Sequence, residues 1–135
     1  MLGNARQTRV FKNKWFVRFA RQEGIEDAAL CEAISRAEKG LIDTDLGGGV
    51  IKQRIARPNE GKSGGFRLIV LFRSREIAFF VYGFSKNERD NIRYDELRVF
   101  KTLADQIYDY DRAALANALK CGAIVEVKCG EEVSK

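Results

Sequence analysis

Five cations, Lys52, Arg54, Arg57, Lys62 and Arg67, fall close together in the chain, and the only acid from Lys52 to Arg73 is Glu60. Such a segment cannot lace its own charges into ion pairs as ordinary charged surfaces do. The cations therefore call for an external anion, and several phosphates at once would satisfy them. The competing reading is a solvated strand face. The chain also has no histidine, which removes the commonest proton-transfer group near neutral pH and any histidine-based metal site. Catalysis must run on Lys, Arg, Tyr, Asp or Glu. A lysine can act as base only where neighbouring cations pull its pKa down from about 10.4, and Lys52, beside Arg54, is the best placed.

Other positions complete the candidate set. Gly61-Lys62-Ser63-Gly64-Gly65 looks like a phosphate-binding loop, but the required spacing fails because Ala56 stands five residues before Gly61. It reads instead as a turn whose backbone can approach a ligand closely while Lys62 supplies charge. Arg67 follows Phe66 on a strand and should project to the opposite face, either to a ligand or to a carboxylate of a neighbouring helix. Lys86 sits where an apolar strand meets a loop, a place both supported and exposed. Tyr82 shares its parity and either stacks on a base or stays in the core. Trp15, Phe16 and Phe19 are explained as core by their helical spacing.

The elements that must hold these residues follow from periodicity. A short strand is predicted over 9–12, and Trp15, Phe16, Phe19 and Ala20 mark an amphipathic helix ending near Gly24. Asp27 is a plausible N-cap for a second helix, with Leu30, Ala33, Ile34, Ala37 and Leu41 on one face and Gly40 as its stop. The acidic, glycine-rich stretch 43–49 reads as a loop, and 50–57 as a strand with Lys52 and Arg54 on one face. After the turn at 58–65, strands at 66–73 and 77–84 form an antiparallel hairpin. The second of these has almost no polar alternation and should be a central strand. Leu97, Phe100, Leu103, Ala104 and Ile107 line a third helix, an Asp111-capped helix follows, and Ile124 to Val127 can add a last strand. The result is an α+β domain with a mainly antiparallel sheet, helices on one face and the other face left for a ligand.

A length of 135 residues with 45% apolar composition fits one domain, with a core over about 9–105 and a helical extension over about 106–135. The net charge of +5 favours an anionic partner. Cys31, Cys121 and Cys129 form no CxxC pair and are odd in number, so they read as reduced thiols in a cytoplasm. Too few apolar residues precede Arg6 for a signal peptide, and no run is long enough to span a membrane.

Three segments together resemble the toxins of the RelE/HigB superfamily: Gly47-Gly48-Gly49-Val50-Ile51-Lys52-Gln53-Arg54-Ile55-Ala56-Arg57, Gly61-Lys62-Ser63-Gly64-Gly65-Phe66-Arg67, and Val81-Tyr82-Gly83-Phe84-Ser85-Lys86-Asn87-Glu88. The likeness covers roughly 9–105, and the second segment, followed by an apolar hairpin and the Lys-Asn-Glu exit, is similar to the HigB-like branch. The resemblance implies a RelE-like small-ribonuclease fold with N-terminal helices on one face and C-terminal helices. It also implies a toxin–antitoxin system, a neutralising antitoxin of helix-turn-helix type, and cleavage of mRNA in the ribosomal A site. It places Arg67 at the scissile phosphate and Lys86 on the active surface. Some members carry arginine after this lysine and tyrosine six residues beyond, or a histidine cluster; here Asn87 and Arg93 stand at those places and Tyr94 follows.

The mechanism expected on these grounds needs neither metal nor cofactor. The RNA 2′-hydroxyl attacks the adjacent phosphate, Arg54, Arg67 and Lys62 stabilise the developing dianion, Lys52 is the base, and Lys86 or Tyr94 protonates the leaving 5′ oxygen. Arg57, Lys62, Tyr82 and Asn87 are the further RNA-binding candidates. Two rivals stand beside it: a ParE-type toxin that inhibits gyrase by protein contact, and a nucleic-acid-binding module without activity. The antitoxin is expected over the Lys52, Arg54, Lys62 and Arg67 face or against the Lys86 loop.

Overall fold

The computed structural model describes residues 7–57 and 65–130. Strand β1 (Arg9–Asn13) leads directly into helix α1 (Lys14–Glu23), because the Asn13 side chain accepts the Phe16 N–H and caps the helix. Gly24 ends α1 in the left-handed conformation. Helix α2 (Asp27–Glu38) follows, one residue out from the expected cap, since Glu26 occupies the N-cap position. Strands β2 (Thr44–Gly47), β3 (Val50–Ile55), β4 (Phe66–Arg73) and β5 (Ile77–Ser85) come next. They precede helices α3 (Tyr94–Tyr108) and α4 (Arg112–Lys120) and strand β6 (Ile124–Val127).

The six strands form one sheet in the order β2-β3-β4-β5-β1-β6. Every pairing is antiparallel except β1 with β5. The apolar run of β5 lies between β4 and β1 and is buried on both faces, as its lack of alternation requires. The stretch 43–49, expected as a loop, contains β2; three glycines masked a strand only four residues long.

Alternation sorts the core into two layers. Phe16, Phe19, Leu30, Ala33 and Ile34 from α1 and α2 pack on Ile51, Ile55, Phe66, Leu68, Val70 and Phe80. On the reverse face, Leu97, Phe100, Leu103, Ala104 and Ile107 of α3 pack on Val50, Ile69, Leu71, Phe79, Val81 and Phe84. The expectation that one face would be left free is therefore corrected. Helix α3 is also amphipathic, and its apolar stripe requires a sheet surface to cover. Gly49, at φ +82°, fits this docking closely: the Tyr108 hydroxyl donates to its carbonyl at 2.9 Å, and a Cβ there would lie 2.7 Å from the tyrosine ring.

A second correction concerns the cysteines. Cys31 of α2 and Cys129, beyond β6, form a disulfide with Cα atoms 5.6 Å apart, and Cys121 alone is free. A separation of 98 residues hid this pair from any spacing rule. No described helix is long and apolar enough to cross a membrane.

Candidate functional site

The cations meet where β3 and β4 pair. Gln53 is fully buried and fixes the face of β3: its amide donates to the Ala33 and Leu41 carbonyls and its Oε1 accepts from the Asp43 N–H. With Gln53 turned to α2, the neighbours Lys52 and Arg54 must turn to the opposite face. Strand β2 begins at Thr44, opposite Lys52, and beyond that pair side chains take over as partners for the β3 backbone. The Arg54 N–H donates to Asp43 Oδ2 at 2.6 Å, and Arg36 Nη2 donates to the Arg54 carbonyl at 2.7 Å.

Register places Arg54 directly across from Arg67, and Arg67 across from Phe84; the adjacent row on the same face is Lys52, Ile69, Tyr82. Directly opposed residues have Cβ atoms about 5 Å apart, a separation at which like charges repel. Arg67 is nevertheless 7% exposed, and its Nη1 is buried with no hydrogen-bond partner among the described residues. Nor does Arg67 or Arg54 make a side-chain ion pair there. Lys52 lies diagonal to Arg67. Burial, then the charges of Arg67 and Arg54, push its ammonium below the ordinary lysine value. Its Nζ donates to Asn91 Oδ1 at 3.1 Å.

A β-bulge shapes the far side of this surface. The register shift between Ile69 and Val70 gives β5 one extra residue, so Tyr82 and Phe84 share the face of Phe79 and Val81. The Arg89 guanidinium lies 5.7 Å from the centroids of both Tyr82 and Phe84, donates to the Tyr82 hydroxyl at 2.7 Å, and is paired with Glu96 of α3. Glu96, in turn, accepts the Arg93 N–H at 2.7 Å at the start of α3. Tyr82 thus has its hydroxyl engaged and its ring set against Trp15 at 4.6 Å and Phe100 at 6.0 Å. Its place is in the wall of the site.

The other candidates are distributed differently. Arg57 has the parity of Ile55: it lies over the Phe66 ring and pairs with Glu23 of α1 at 3.7 Å, away from Lys52 and Arg54. Alternation already required this, because odd positions of β3 face α2. Lys86 is exposed just past β5, where its N–H meets the Gly65 carbonyl at 3.5 Å. A Cβ on Gly65 would lie 2.0 Å from the Ile55 carbonyl, so only glycine fits the start of β4. Asn87 is exposed, with its N–H bonded to Ser85 Oγ. Tyr94 opens α3 and is 77% exposed. Lys62 lies outside the described residues. Sequence reasoning missed Asn91 and Arg89, since only folding brings the 87–93 loop against β3.

The family model described as RelE toxin of RelE / RelB toxin-antitoxin system matches residues 8–127. The chain belongs to the RelE toxin family. No curated protein matches it. The α+β sheet with its N-terminal and C-terminal helices is the fold expected of a RelE-family toxin, and the matched span includes every described candidate residue as well as Lys62.

Proposed function

We propose that this RelE-family toxin is an mRNA endoribonuclease that arrests translation in the cytoplasm, acting on ribosome-bound message by attack of the RNA 2′-hydroxyl on the adjacent phosphate. The observation that carries this reading is Arg67, a buried guanidinium whose Nη1 has no partner among the described residues, facing Arg54 across the β3–β4 ladder with Lys52 beside it. Such an arrangement is unfavourable for the fold alone and favourable once an anion arrives. Arg54 and Arg67 hold the scissile phosphate and the charge that develops on it. Lys52, its ammonium destabilised by burial and by both arginines, accepts the 2′-hydroxyl proton. Lys86 or Tyr94, both exposed at the rim, delivers a proton to the 5′ oxygen, while Lys62 and Asn87 bind flanking phosphates.

The Gly61-to-Arg67 sequence and the Lys86-Asn87-Glu88 exit support assignment to the HigB-like branch. A helix-turn-helix antitoxin then neutralises the chain by covering the same cations. The test is induction of the chain alone, followed by mapping of cleaved message ends. Translation should stop, and the new ends should be 2′,3′-cyclic phosphates at sites set by the ribosome. Arrest with intact RNA and blocked gyrase would replace this reading with contact inhibition of the ParE type. RNA bound but uncut would leave a binding module.

A further inference from the structure

Lys52 poses a positional problem that β3 does not solve. Its long side chain stands beside Arg54 and diagonal to Arg67, and repulsion from two guanidinium groups would drive a free ammonium out toward water. The only hydrogen bond of its Nζ among the described residues is to Asn91 Oδ1. That oxygen is held in place, since it also accepts the Ile92 N–H at 2.9 Å. The Asn91 carbonyl accepts from Arg89 Nε at 3.0 Å, and Arg89 is fixed by Glu96 of α3 and by the Tyr82 hydroxyl of β5.

Resting on the ribonuclease reading, we propose that Asn91 is the positioning residue for Lys52, aiming its nitrogen at the reacting phosphate through a clamp that runs from α3 and β5 by way of Arg89. A neutral amide suits the task. It directs the nitrogen without adding the negative charge that would hold the proton on it and compete with the phosphate for Arg54 and Arg67. The charged groups facing Lys52 are Arg54 from its own strand and Arg67 from β4, while β2 contributes the uncharged Thr44 opposite it.

Asn91→Asp and Asn91→Ala test this, with the Lys52 ammonium followed by NMR of isotopically labelled lysine and cleavage followed against pH. Aspartate should raise the Lys52 pKa by about one unit or more and carry the rising limb of the pH–rate profile to higher pH by the same amount. Alanine should move both the other way and lower kcat about tenfold, with KM and Tm little changed. Opposite displacements in two folded variants are a signature that a purely structural asparagine would not give. If the wild-type chain cleaves RNA but both variants titrate and cleave as it does, the positioning role is wrong while the ribonuclease reading stands. If Lys52 shifts and the profile does not, the role is equally overturned. A wild-type chain that cuts no RNA removes the ribonuclease reading itself.

Discussion

The two ends of β4 treat charge in opposite ways. Just beyond its last residue, the Glu38 carboxylate accepts hydrogen bonds from Ser74 Oγ at 2.6 Å, from the Arg75 N–H at 2.9 Å and from the Thr8 hydroxyl. Burial alone would raise its pKa, but these donors outweigh burial and hold the carboxyl below its usual range. They tie α2 to β1 and to the β4–β5 turn, where Arg75 adopts φ +62°. The cleft beside this cluster, about 630 Å³ in volume, is also lined by Cys31 and Cys129. At the other end, Arg67 and Arg54 stand opposed with no side-chain ion pair among the described residues. A polar group that serves the fold has its partners in the fold. One left without them carries a cost that an external ligand must offset.

The largest expected effect separates function from stability. Arg67→Met should lower RNA cleavage by about 100-fold or more while leaving urea stability unchanged or raising it by about 1 kcal/mol. A variant that loses both together would make Arg67 a structural residue and erase the contrast. At the opposite end the pattern should invert. Replacing Cys31 and Cys129 by alanine should remove about 2–4 kcal/mol of stability, because the bridge closes a long loop, with cleavage retained. Reductant should reproduce the loss in the wild-type chain and have no effect on the variant.

Glu38→Gln should cost about 1–2 kcal/mol in urea denaturation and leave the cleavage rate alone. Its pH dependence has a definite sign. The folded pKa lies below the unfolded one, so the contribution is present above the unfolded value and is lost as pH falls through the folded value. The glutamine variant should therefore show a flatter acid limb of stability. Lys52, also depressed in the folded state, acts in the alkaline window: stability rises with pH between its folded pKa and the ordinary lysine value. The smallest effect is a shift in Tm. Sulfate at about ten times its Kd should add about 1.4 kcal/mol to the wild-type chain, a few degrees, and little to Arg67→Met. Equal shifts in both proteins would place the anion elsewhere.

Much of this was legible before folding. The helical stripe of Phe16, Phe19 and Ala20, the unbroken apolar run of β5 and the Asp111 cap, whose Oδ1 accepts the Ala114 N–H, each follow from spacing within a few residues, whereas Trp15, expected in the core, is 41% exposed. The same alternation put Lys52 and Arg54 on one face and Arg67 opposite Phe66. Strand β2 was not legible, because a four-residue strand ending in glycines carries too little pattern to stand out from a loop.

The sequence by itself determined the local periods, the absence of histidine and a cation-rich segment with a single acid, since each depends only on residues near one another in the chain. Tertiary structure decided which cations share a site. Register set Arg54 against Arg67, and the extra residue in β5 turned Tyr82 and Phe84 to their side. It also joined Cys31 to Cys129 and brought Asn91 to Lys52, across separations of 98 and 39 residues. No local pattern encodes such contacts, because they form only when distant segments are packed against a common sheet, and packing depends on the whole surface buried rather than on any one spacing.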